Sequence, residues 1–144
     1  METSDSVFVD SNYFIALANP EDSQYEKARK VTEELKKNDN TLVISNLIFA
    51  EVVTVVSQRR GRGSAVVTGE FLNSDPSARV VHVSPAIQTE SWRLFKEIKN
   101  KDISFVDASI IATMRAEGIQ TLLTFDVTHF KPLAKEYRLK LFKS

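Results

Sequence analysis

Apolar positions along the chain fall into two rhythms. Short runs rich in β-branched and aromatic residues read as strands: Val7–Val9, Thr41–Ile44, Arg79–Val83, Ile119–Phe125 and Arg138–Phe142. Between them, apolar residues recur at helical spacing. Tyr13–Ala18 suits a short helix stopped by Asn19-Pro20, and Asp22 or Ser23 caps a helix to Lys37 with Tyr25, Ala28, Thr32 and Leu35 on one face. Ser45 or Asn46 caps the next helix, which runs through Gln58 to an Arg-Arg-Gly stop, and a shorter one spans Ser64–Leu72. Ser84-Pro85 opens a helix with Ile87, Ser91, Leu94, Phe95 and Ile98 along one stripe. Ser104 and Asp107 form a capping box for a helix that ends at Gly118. Strands separated by helices need crossover connections. The expected fold is therefore one α/β domain over residues 1–144, a central and mostly parallel five-stranded sheet with helices on both faces.

Two strand runs, VFVDSN and LLTFD, both deliver an aspartate, Asp10 and Asp126. Either alone is an ordinary turn residue. In open parallel sheets, however, ligands sit beyond the carboxyl ends of the strands, where both acids are expected. Glu51 adds to the pattern, because Leu47, Ile48, Thr54 and Val55 share its helical face and make a carboxylate there costly unless paired or metal-bound. Asp107 stands among Ile103, Ile110, Ile111 and Met114, although its capping position supplies a structural reason. Pairing of Glu51 with a buried Arg or Lys is the structural alternative. If the four converge, their mutual repulsion calls for a shared proton or a cation. All-oxygen ligation suits Mg²⁺ or Mn²⁺, and such a site hydrolyses phosphodiesters by activating water and stabilising charge on phosphate.

Composition narrows the field. Nineteen basic and 19 acidic residues cancel in a chain of 144, so no global field draws it to nucleic acid or membrane, and any such contact is local. The absence of cysteine excludes disulfides, thiolate zinc sites and a cysteine nucleophile. METSDSVFVD has no basic n-region, and no stretch approaches the ~20 apolar residues of a membrane span. A soluble cytoplasmic protein with no membrane partner is expected.

These residues resemble the PIN-domain ribonucleases, most of all the VapC-type toxins, over nearly the whole chain. VFVDSNYFIAL resembles the family's opening strand and turn, NLIFAEVV the segment carrying its second acid, DISFVDASIIATM the third, and LLTFDVTHF the closing strand end. The resemblance implies that Asp10, Glu51, Asp107 and Asp126 hold one or two Mg²⁺ or Mn²⁺ ions and orient the attacking hydroxide, with Asn12 and Thr124 supporting the carboxylates. It implies an endoribonuclease acting on RNA, a homodimer, and an antitoxin whose tail covers the acidic cleft. A PIN nuclease outside any toxin–antitoxin pair and a catalytically silent RNA-binding or scaffold module are the alternatives. An aspartyl-phosphate enzyme is a further rival, but the haloacid-dehalogenase pattern needs a second Asp where Asn12 stands.

The remaining features have structural readings. RRGRG at residues 59–63 could grip phosphate, but it fits a helix stop with Gly61 in the left-handed region. His82 and His129 are too far apart for a zinc motif, and His129 reads as a loop residue. Asp102 reads as a solvated loop acid, and Trp92 is assigned with the phenylalanines to core and interface.

Overall fold

A computed structural model describes residues 5–143. The chain runs β1 (Ser6–Val9), α1 (Ser11–Leu17), α2 (Tyr25–Lys37), β2 (Thr41–Ser45), α3 (Asn46–Arg60), α4 (Arg62–Ser74), β3 (Ala78–Val81), α5 (Pro85–Glu97), α6 (Phe105–Glu117), β4 (Thr121–Leu123), α7 (Val127–Tyr137) and β5 (Lys140–Leu141). Every strand pairing is parallel, and the order is β3-β2-β1-β4-β5. β1 is central, with Phe8 opposite Val43 on one side and Leu122 on the other. Consecutive residues Val7, Phe8 and Val9 are all buried, as are Leu42, Val43 and Ile44. Successive strand side chains point to opposite faces, so both faces of the sheet are covered by helices, as expected for a parallel sheet.

β3, β4 and β5 are shorter than their apolar runs, and at the carboxyl ends of β3 and β4 side chains take over the backbone partners. Val83 N–H donates to Asn46 Oδ1 at 2.7 Å, which takes it out of β3. Phe125 N–H donates to Asn12 Oδ1 at 3.1 Å, which ends β4 before the predicted limit. Helix starts also shift. α1 begins at Ser11 because Asp10 caps it, accepting from Ser11 N–H. Asp22 accepts from Gln24 N–H in the preceding loop at 2.8 Å and does not cap α2. Gly61, expected in the left-handed helical region, has φ 94° and ψ 167°, and α4 starts at the next residue. That backbone conformation is open essentially to glycine alone, so RRGRG is the corner of a helical hairpin.

α7 is the element that the periodicity did not reveal. Pro132 lies inside it and reads as a break, since proline removes one hydrogen bond and costs about 3 kcal/mol in a helix interior. Phe130, Leu133 and Ala134, at helical spacing on one face, are buried. Burying the Phe and Leu alone is worth ~3–6 kcal/mol, enough to offset the proline.

A cavity of about 650 Å³ opens beside the amino ends of β2 and β3, lined by Tyr13, Leu17, Leu35, Leu42, Val67 and Phe71 among others. It lies at the strand ends opposite to those that carry the acids. Among the described residues, no helix is long and apolar enough to cross a membrane.

Candidate functional site

β1 delivers Asp10 to the carboxyl edge of the sheet and holds it there. The residue is 6% exposed. Its Oδ1 accepts from Ser11 N–H at 2.8 Å, and its Oδ2 accepts from the Thr124 hydroxyl at 2.8 Å and from Asn12 Nδ2 at 3.4 Å. Thr124 follows β4, the strand paired with β1, and its Oγ1 also accepts from Asp126 N–H at 3.0 Å and from Asn12 Nδ2 at 3.3 Å. Asn12 and Thr124 thus tie the ends of the two central strands together around one carboxylate. With Asn12 committed to Phe125 N–H and Asp10, the position where the dehalogenase pattern has its second acid is a structural tie.

The other three acids approach from three directions. Asp107 is the third residue of α6 in a complete capping box: its Oδ2 accepts from Ser104 N–H at 3.0 Å, and Ser104 Oγ accepts from Asp107 N–H at 3.0 Å. Its structural and chemical readings are therefore compatible. Asp126 is the first residue beyond Phe125 and precedes α7. Glu51 departs from the expectation of a core position. The buried face of α3 is Ile48, Val52 and Val56, and Glu51 is exposed. Apolar residues occur all around this helix, so the sequence could not identify which stripe faces inward. Glu51 needs no buried Arg or Lys partner there.

Electrostatics connects the four. Burial is the main cause that pushes the Asp10 carboxyl up to about 6, and the charges of Asp107 and Glu51 push it further against the Thr124 and Ser11 hydrogen bonds. Asp107 is also raised, first by burial and, against its Ser104 bonds, by the charge of Asp126. The charges of Glu51 and Asp107 thus bear on Asp10, and that of Asp126 bears on Asp107. Among the described residues, no three His, Cys, Asp or Glu side chains are drawn together tightly enough to enclose an ion by themselves. The donor set is nonetheless all oxygen, with one carboxylate pre-oriented by three hydrogen bonds. That fits a hard divalent cation that keeps several of its waters and reaches some acids through them.

His129, a loop residue by its sequence context, lies beside the acids and acts on them. It lies in the first turn of α7, with Nδ1 2.8 and 2.9 Å from the two oxygens of Asp126 and Nε2 3.7 Å from Asp102 Oδ2. The charge and hydrogen bond of Asp126, then Asp102, hold its pKa above the usual value. The i, i+3 spacing from Asp126 would have exposed the contact had α7 been legible. On the Asp10 side, the Lys27 ammonium lies 4.8 Å from the centroid of the Phe125 ring. Of the other features, Arg60 lies 4.0 Å from Glu21, and His82 is exposed. Trp92 is 52% exposed, not buried, and stacks on Phe95.

A parallel sheet with interacting carboxylates beyond its central strands sets an all-oxygen donor group where ligands of such sheets bind, an arrangement suited to metal-assisted hydrolysis. The PIN domain family model matches residues 7–136, and the chain belongs to the PIN-domain family, a nuclease fold whose enzymes use divalent metal ions. It is 29% identical over 120 residues to the 23S rRNA-specific endonuclease VapC20 of Mycobacterium tuberculosis, covering 83% of this chain and 88% of that protein. The crystal structure of VapC20, described as a Sarcin-Ricin loop cleaving toxin, superposes with a TM-score of 0.78 at 27% identity over 88% of this chain and 94% of that one. VapBC2 from Rickettsia felis, bound to a DNA fragment from its promoter, shares the fold with a TM-score of 0.68 at 22% identity over 95% and 97% of the two chains.

Proposed function

We propose that the protein is an Mg²⁺- or Mn²⁺-dependent endoribonuclease of the VapC toxin type, with Asp10, Glu51, Asp107 and Asp126 holding the cation. One observation carries the reading. The most buried of the acids, Asp10, stands at the end of the central strand of a PIN fold, with the charges of Glu51 and Asp107 bearing on it. When bound, the cation supplies Lewis acidity toward the phosphodiester and neutralises the charge that develops there. The chain's own contribution is positional. Thr124, Ser11 and Asn12 fix the Asp10 carboxylate, the Ser104 cap fixes Asp107, and a bound cation would offset the mutual repulsion of the acids.

The substrate class follows from VapC20, whose name gives 23S rRNA as its target, so structured ribosomal RNA is the first substrate to try. The reading extends to a cognate antitoxin whose tail covers the acidic cleft, by likeness to the toxin–antitoxin complex from Klebsiella pneumoniae and to VapBC2. It also extends to a homodimer, which light scattering of the purified protein would reveal, and to action in the cytoplasm, where ribosomal RNA is found. The central test is incubation of a long RNA that includes 23S rRNA with purified protein in Mg²⁺, Mn²⁺ or EDTA, beside Asp10→Asn. Cutting that needs the metal and vanishes in the variant is expected. Cutting that survives in Asp10→Asn refutes the site, and RNA binding without cleavage under any divalent ion refutes the enzyme.

A further inference from the structure

We infer that His129 is a positioning residue for Asp126, holding that carboxylate toward the cleft so that its remaining lone pairs can meet a cation; the inference rests on the cation-site reading above. Asp126 occupies the N-cap position of α7, where an aspartate ordinarily turns its side chain onto the helix N–H groups. Here no side-chain capping bond forms. Both carboxylate oxygens instead lie 2.8 and 2.9 Å from His129 Nδ1.

A carboxylate only accepts hydrogen bonds, so Nδ1 is the nitrogen that carries the proton, whatever the state of Nε2. One N–H satisfies a small part of the four lone-pair sites of the carboxylate and leaves the rest for a cation. The helix that carries the ring is well anchored. Its neighbour Phe130 is fully buried, and α7 is pinned by Leu133 and Ala134 as well. Asp102 Oδ2, at 3.7 Å from Nε2, lies beyond hydrogen-bond length and biases the ring only through charge.

The residue has a chemically specific substitution series. Asparagine places its amide nitrogen where Nδ1 lies and can still donate to Asp126, whereas glutamine reaches toward the Nε2 position, and alanine does neither. Partners that orient a metal-binding side chain typically contribute about 10–100-fold to metal affinity or activity. Mn²⁺ binding to the metal-free protein, measured by calorimetry, is expected to weaken by about that factor in His129→Ala and His129→Gln. His129→Asn should stay within a few-fold of the parent. In cleavage assays, kcat should fall in the same order with KM for RNA unchanged. Circular dichroism should show all three variants folded, since His129 is on the surface of α7.

Wild-type Mn²⁺ affinity in His129→Ala overturns the inference, as does a rise in KM with Mn²⁺ binding intact, which would mean that the ring grips RNA. Asp10→Asn and Asp126→Asn, run beside it, separate the two levels. If they lose Mn²⁺ while His129→Ala keeps it, the positioning role alone fails. If they too bind Mn²⁺ normally, the cation site fails and takes the inference with it.

Discussion

Asp10→Asn should make the metal-free protein more stable at neutral pH, even as it removes the proposed activity. Asp10 has its carboxyl pushed from 3.8 to about 6, chiefly by burial. A raised acid binds more protons in the folded than in the unfolded state, so its contribution to stability falls as pH rises through the interval between the two values. At about 1.36 kcal/mol per unit, the penalty reaches about 3 kcal/mol at pH 7.5, against about 1 kcal/mol at pH 4.5. The amide carries no charge and avoids the penalty. It keeps one acceptor for Ser11 N–H, but it can no longer accept from both Ser11 and Thr124, a loss of about 1 kcal/mol. In EDTA, the variant should thus gain about 2 kcal/mol over the parent at pH 7.5 and nothing at pH 4.5. Urea unfolding of both proteins at the two pH values measures this double difference. A variant that is less stable than the parent at pH 7.5, or whose advantage does not change with pH, refutes the argument that buried negative charge accumulates on Asp10.

Thr124→Val removes the hydroxyl that favours ionised Asp10. The Asp10 carboxyl should then rise further, and the acid limb of the cleavage–pH profile should move to higher pH; an unmoved limb would show that Thr124 does not act through Asp10. Stability should fall by about 1–3 kcal/mol from the unpaired Asp126 N–H, as read by urea unfolding. Gly61→Ala forces a side chain into φ 94° and ψ 167° at the α3–α4 corner and should cost about 1–3 kcal/mol in the same assay. Cleavage should persist in Gly61→Ala at temperatures where it remains folded, and a change in RNA KM there would give RRGRG a substrate role.

The fold was legible wherever local rules and tertiary packing agree. The Ser104–Asp107 box and the Ser45 and Ser84 caps form where the sequence places them, because each uses backbone groups within a few residues, and the runs of β1 and β2 do so because an unbroken apolar run is what a strand covered on both faces requires. α7 was hidden because the penalty of Pro132 is local whereas the compensating burial of Phe130 and Leu133 is tertiary. The exposure of Glu51 was hidden for a related reason. An α3 that is apolar all round carries no internal record of which side meets the sheet, so the carboxylate looked buried when it is exposed. The acids at the strand ends were legible as a pattern, because Asp10 and Asp126 interrupt apolar runs. His129 was not, since its role depends on a helix that the proline concealed.

Asp10 serves the fold and the proposed chemistry through the same bonds. Its Oδ1 caps α1 and its Oδ2 receives Thr124 from the neighbouring central strand, so the carboxylate stitches β1 to the end of β4. Those bonds favour its charged form, while burial and the charges of Glu51 and Asp107 favour the neutral one, and burial dominates. A divalent cation held there would reverse that balance by neutralising the acids together, and it would bind only as the protons leave. On the proposed reading, cation binding and the removal of native-state strain are one event. The metal-free protein should become more stable on adding Mn²⁺ by an amount that grows with pH over the interval in which Asp10 would otherwise hold its proton.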